Sequence, residues 1–277
     1  MQIFETIGEM LSFTFMIRAI VVGLLVSLCA ALLGVSLVLK RYAMIGTGLS
    51  NVGFAAMVIA GVIDVAPLAL SIPVVVVTAF LLLRMNESSK IKGDSAVALI
   101  STSGLAVGVI VMGVTTGITL SICNILFGSI FAMTAADMYL SIALSAVVII
   151  IFVLFYKQLY AVTYDESFAR ATGTKVEVYK SMLALLTAVT VVLGMRMMGA
   201  LLIASLTLFP ALSAMRICKR FLSVVIASAV IGVVCFFVGM VFSFALDLPP
   251  GATVVGVNLV VFTIFSVVTF VRQRGLR

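Results

Sequence analysis

The feature that most constrains this chain is a repeated apolar run. The runs are roughly 18 to 27 residues long, and about twenty apolar residues in a helix span the hydrocarbon layer of a bilayer. They are read at 13–39, 45–63, 67–84, 95–117, 138–156, 179–195, 199–215, 221–246 and 253–271, too many to be one signal peptide. A soluble domain needs about a quarter of its residues charged to cover its surface. Here 10% are charged and 64% are hydrophobic. The expected fold is an all-α polytopic membrane protein with about 8–9 transmembrane helices, in a single domain over 1–277. The stretch Leu120–Ala132 is about half a span long and is expected to be a short or re-entrant helix buried in protein, because lipid-facing irregular backbone would leave polar groups unsatisfied. Residues 1–12, with Glu5 and Glu9, read as a short amphipathic lead-in.

The charges orient the spans. The net charge of +7 could suggest nucleic acid or anionic lipid, but its placement does not. Lys40/Arg41, Arg84–Lys92, Lys157–Lys180, Arg216–Arg220 and Arg272–Arg277 fall on one side, leaving only Arg18 and Arg196 elsewhere. The opposite side receives Glu5, Glu9, Asp64, Asp137 and Asp247. The positive-inside rule then makes the C-terminus cytoplasmic and, with nine spans, the N-terminus external. An eight-span count changes only the N-terminal side. The lipid bilayer is the expected environment, and no nucleic-acid partner is expected.

Several chemistries are excluded by residue type. The chain has no histidine, which removes the commonest metal ligand and proton shuttle and any His-based triad. No carboxylate pair lies in a span, although proton-coupled carriers usually need an ionisable group there. No G-x-x-x-x-G-K-[ST] occurs, so ATP is not held through a P-loop. Cys29, Cys123, Cys218 and Cys235 form no CxxC pair and read as small packing residues. The chain is not expected to be an enzyme, and no cofactor is expected on it.

Two segments stand out. In "AVTYDESFARATGTKVEVYK", Thr163-x-x-Glu166 has the capping-box pattern, Asp165 lies in the favourable first turn, and Gly173 fits a helix stop. A short helix is expected over about 164–172, with Tyr164, Phe168 and Ala171 or Thr172 on one face. Spacing alone admits a solvated loop helix against the membrane or a docking helix for a partner's groove. In "MRMMGALLIASLTLFPALSAMRICKR", Pro210 deprives the Leu206 carbonyl of its donor, so a kink useful for gating is expected. Thr207, Ser205 or a neighbouring helix could satisfy that carbonyl. Met195, Met197 and Met198 could be thioether ligands but read more simply as a flexible apolar cluster.

In this order, the phrases "KRYAMIGTGLSN", "KGDSAVAL", "LFGSIFAMTAAD", "YDESFARATG", "MGALLIASLTLFPALSAM" and "DLPPGATVV" resemble the permease subunits of bacterial ABC importers for zinc, manganese and iron(II). The resemblance runs from about Phe13 to Phe270. It implies a type II ABC importer-like fold in the bacterial inner membrane, with two permeases, as a homo- or heterodimer, forming the pathway. It also implies two cytoplasmic ABC ATPase subunits, which use the ATP, and an extracytoplasmic metal-binding protein. Asp165, Glu166, Phe168, Ala169 and Gly173 fall on the helix that docks on the ATPase in that family.

The second span of such permeases begins with a pattern like G-D-A-x-S-H-A, whose Asp and His line the pathway. Here Gly46 and Ser50 match, but Thr47 and Asn51 replace the two ligands. The resemblance therefore makes Thr47, Ser50 and Asn51 pathway positions with no certain metal ligand among them. Three explanations stay open: a divalent metal held by neutral oxygens, an asymmetric pair whose other permease carries Asp and His, or a substrate of another class. A helix cap with ordinary packing is the plainer reading of the same three residues. A stand-alone secondary transporter or channel, a non-metal ABC permease and a membrane scaffold are the rival functions.

Overall fold

The computed structural model describes residues 13–88, 93–115 and 135–274. The expected lead-in at 1–12, the half-length segment Leu120–Ala132 and Cys123 lie outside the described residues. The helices are α1 (Thr14–Leu39), α2 (Ile45–Val62), α3 (Pro67–Ser88), α4 (Gly93–Val114), α5 (Ala135–Leu154) and α6 (Tyr156–Tyr164). They continue as α7 (Glu166–Ala171), α8 (Val176–Met198), α9 (Ala200–Ile217), α10 (Phe221–Leu246) and α11 (Pro250–Arg274). Among the described residues, eight helices are long and apolar enough to cross a membrane. Met138–Leu154 and Tyr156–Tyr164, bent by 70°, supply a ninth candidate as a pair. Some helices overrun the apolar runs: α8 begins at Val176 rather than 179, and α11 reaches Arg274 rather than 271. A charged residue ends apolarity without ending a helix, since Lys, Arg and Glu are good helix formers.

Four helices form the interior. α1, α2, α8 and α9 bury most of their apolar length, whereas α4 and α11 bury little of theirs. Val107, Ile110, Leu259 and Ile264 on those outer helices are exposed, as lipid permits. Phe54, Phe236, Leu33 and Met195 are the kind of large side chain that fills the core. Polar atoms also tie helices together. Ser228 Oγ donates to the Ala31 carbonyl at 3.0 Å, and Cys29 Sγ reaches the Ser145 carbonyl at 3.5 Å. Cys29, Cys218 and Cys235 are free thiols, with Cys29 and Cys235 buried.

Small residues set the closest approaches. A Cβ on Gly34 of α1 would stand 2.0 Å from the Thr207 carbonyl oxygen of α9, and one on Gly108 of α4 would stand 2.5 Å from the Phe54 ring. Gly113, in the same glycine series as Gly104 and Gly108, would bring its Cβ within 4 Å of nothing among the described residues. Three helices end without glycine: Arg41, Asp64 and Asp247 adopt φ of 61°, 55° and 51° after α1, α2 and α10. In each case the following N–H, on Tyr42, Val65 or Leu248, reaches back to a carbonyl of the last turn. This closes a Schellman turn.

Candidate functional site

Thr47, Ser50 and Asn51 share the face of α2 that lines a cavity of about 340 Å³. The opposite wall is α9, from Ala200 through Ala204 and Ser205 to Phe209, with Val255 of α11 at its edge. A Cβ on Gly46 would stand 2.9 Å from Thr207 Oγ1, near the midpoint of α9, so α2 begins deep in the bundle. Glycine at 46 makes that approach possible and carries Thr47 to the cavity.

The cavity is lined mainly by apolar side chains, among them Leu201, Leu208 and Phe209, with the neutral polar groups of Thr47, Ser50, Asn51 and Ser205 set among them. Ser50 is buried and donates through Oγ to the Thr47 carbonyl at 2.9 Å, which leaves its lone pairs available. Asn51 Nδ2 donates to Ser101 Oγ on α4 at 2.8 Å, leaving the amide oxygen as its remaining acceptor. The three residues thus do more than cap a helix: Met44, not Thr47, is the N-cap, and it makes no side-chain cap bond. Among the described residues, no three Cys, Asp or Glu side chains converge as a metal cluster.

The loop between α5 and α8 carries its own small helix. Asp165, with φ −147° and ψ 104°, is the N-cap of α7, and its Oδ1 accepts from the N–H groups of Ser167 (2.9 Å) and Phe168 (3.0 Å). This corrects the expected capping box. Thr163 lies in α6, and its Oγ1 has no partner among the described residues, because the extended Asp165 interrupts the helix and offers the nearer carboxylate. Tyr164 therefore belongs to α6, not to the Phe168 helix. Gly173 closes α7 at φ 81°: its N–H reaches the Arg170 carbonyl, and the Thr174 N–H reaches the Ala169 carbonyl, both at 3.0 Å. Within this doubly capped turn, Ala169 is fully buried with Val162 and Val176, while Phe168 is 63% exposed.

The Glu166 side chain, still 40% exposed, is bonded to two lysines of the bundle. Its Oε1 lies 2.8 Å from Lys40 Nζ at the end of α1, and its Oε2 lies 2.7 Å from Lys180 Nζ in α8. Both lysine side chains are buried. Partial burial pushes the Glu166 carboxyl up, but the hydrogen bonds and charges of Lys180 and Lys40 outweigh it and hold it below its ordinary value. The tie is thus intact above the ordinary carboxylate range and is lost as pH falls through the lowered value. It joins two loops that the charge pattern assigned to the same side. A second pair, Arg170 Nη2 to Glu177 Oε1 at 2.6 Å, is exposed on both sides and adds little.

α9 runs as one helix through Pro210, which is buried. The hydroxyls expected to serve the Leu206 carbonyl do not. Thr207 Oγ1 donates to Ala204 and Ser205 Oγ to Leu202, each at 2.8 Å. Met195 and Met198 are buried, with Met195 beside Gly53 and Met198 beside Gly23, as packing residues.

The residues that sequence reading did not single out lie on the cavity's far wall. Ala200, Ala204 and Phe209 look like any membrane helix, although the 200/204 spacing of small residues is a faint signal. Gly199 alone separates α8 from α9, with φ 86° and ψ 160°, a region open essentially to glycine. Gly199→Ala is expected to destabilise the fold by about 1–3 kcal/mol, seen as a lower melting temperature of the detergent-solubilised protein.

With this geometry in place, comparison with known proteins fixes the family. A model described as the ABC 3 transport family matches residues 12–269, nearly the whole chain. The chain belongs to the ABC 3 transport family. This ABC 3 member is 26% identical over 262 residues to the manganese transport system membrane protein MntC of Halalkalibacterium halodurans, covering 95% of this chain and 89% of that one. It is 24% identical over 260 residues to the manganese import system permease protein ScaB of Streptococcus gordonii, covering 94% and 93%. Its fold is shared with PsaBC from Streptococcus pneumoniae, solved in complex with Fab, at a TM-score of 0.84, 24% identity and 94% coverage of each chain. The all-helical ABC permease architecture expected from the sequence is the one observed.

Proposed function

We propose that this ABC 3 family chain is the membrane permease subunit of an ATP-driven importer of a divalent transition metal, with manganese as its leading substrate. The observation that carries the reading is the Thr47–Asn51 face on a cavity inside a fold of this family. The manganese permeases among its relatives support the substrate. The donors at the cavity are the hydroxyls of Thr47, Ser50 and Ser205 and the Asn51 amide oxygen, hard ligands that suit manganese, rather than the imidazole and thiolate that suit zinc. Neutral oxygens hold a cation weakly, and a pathway must let its ion leave. The chain sits in the bacterial inner membrane with its C-terminus cytoplasmic, where Lys and Arg concentrate.

In this mechanism a second permease completes the pathway, and an extracytoplasmic metal-binding protein delivers the ion to the outer face. Cytoplasmic ATPase subunits bind and hydrolyse the ATP and dock on α7 around exposed Phe168. The chain itself needs no cofactor. Its residues position the ion's oxygen ligands, and its helices open and close around the cavity. A Thr47→Asp, Asn51→His double variant restores an anion and an imidazole at the cavity. It is expected to retain manganese more tightly than the parent by about tenfold or more, each decade being 1.4 kcal/mol. Unchanged retention in a folded complex would show that these positions do not face the ion.

A further inference from the structure

The Glu166 carboxylate is held by two lysines that lead to different places. Lys180 lies in α8, which the chain joins to α7 through only Thr172–Lys175, so that bond ties neighbours. Lys40 is 126 residues away from Glu166 and is the C-cap of α1. Immediately after it, Arg41 takes the left-handed conformation that turns the chain, and α2 begins at Ile45. Thr47, on the cavity, is then within the first turn of α2. The Lys40 side chain is 5% exposed, so its ammonium sits in a fixed, largely desolvated place where charge pairing is strong. α7 itself is a compact, doubly capped unit.

We propose that Glu166 is the positioning residue that transmits displacement of α7 to the Thr47–Asn51 segment through Lys40. The inference rests on the permease reading above. A push on α7 moves the carboxylate, the carboxylate carries Lys40, and Lys40 carries the α1–α2 corner that sets where Thr47 and Asn51 stand. Glu166 serves this role through its bonds to Lys40 and Lys180.

The test uses the complete transporter in vesicles, with manganese(II) uptake and ATP hydrolysis measured together. Lys40→Met and Lys180→Met each remove one bond to the same carboxylate and leave it the other. Lys40→Met is expected to keep ATPase binding and hydrolysis but to lower manganese transported per ATP by about tenfold, within the usual range of coupling between sites. Lys180→Met is expected to leave that ratio near the parent's, and Lys40→Arg, which keeps a cation beside Oε1, is expected to restore it. Equal losses in the two methionine variants, an unchanged ratio in Lys40→Met, or no restoration by Lys40→Arg would each overturn the proposal. Absence of ATP-driven manganese uptake in the parent complex would instead strike the permease reading itself, and the proposal with it.

Discussion

Phe168→Asp is expected to abolish co-purification of the chain with its ATPase subunits and to reduce ATP-driven uptake to background. Phe168 is 63% exposed on a six-residue helix, and its side chain does not hold that helix in place. The cap bond at its position runs from its backbone N–H to Asp165, which the substitution leaves intact. Buried Ala169 and the Lys40–Glu166–Lys180 tie keep α7 seated on the bundle. An aromatic anchor at an interface typically contributes about 2 kcal/mol or more, roughly thirtyfold in affinity, and a carboxylate in a partner's apolar pocket adds a desolvation cost. The check is pull-down of the ATPase alongside a melting curve of the purified chain. A folded Phe168→Asp protein that still binds the ATPase at parental affinity would place the docking surface elsewhere.

The second large effect is expected at Gly34. A Cβ there would stand 2.0 Å from the Thr207 carbonyl oxygen and 2.9 Å from its carbonyl carbon. Those are backbone atoms, so no rotamer change relieves the clash and α1 and α9 must part. Overpacking of this kind costs about 1–3 kcal/mol and sometimes more. Thr207 also borders Gly46, so the same displacement disturbs the start of α2 and the cavity beside Thr47. Gly34→Ala should therefore lower both the melting temperature and manganese uptake. Gly113→Ala is the control: with nothing within 4 Å of its added methyl among the described residues, it should leave both unchanged or slightly raise stability, as alanine favours helix over glycine by about 1 kcal/mol. Equal behaviour of the two variants would mean that the α1–α9 contact is not as close as described.

The spans were legible because lipid imposes one demand, an apolar run of fixed length, that composition displays directly. The loop helix was legible at its C-terminal end, from Gly173, but its start was not. The capping-box pattern pointed to Thr163, with Asp165 in the first turn, and the extended φ, ψ of Asp165 makes that residue the cap instead. The α2 face of the cavity was readable from three polar residues in an apolar stretch. The α9 wall was not, because Ala200, Ala204 and Phe209 become a wall only where two helices diverge. Nor could the Lys40–Glu166 bond be seen: local patterns carry no information across 126 residues. Glu166 was readable as a docking residue from its position in the motif, and the structure adds its bonds to Lys40 and Lys180.

The central claim is that ATP hydrolysed by partner subunits drives a metal ion through this chain. Its most direct test is manganese(II) accumulation in vesicles, comparing the chain reconstituted with its ATPase and binding protein against the chain alone, each with and without ATP. Accumulation is expected only in the complete complex and only with ATP. Equal manganese accumulation by the chain alone without ATP would contradict the claim.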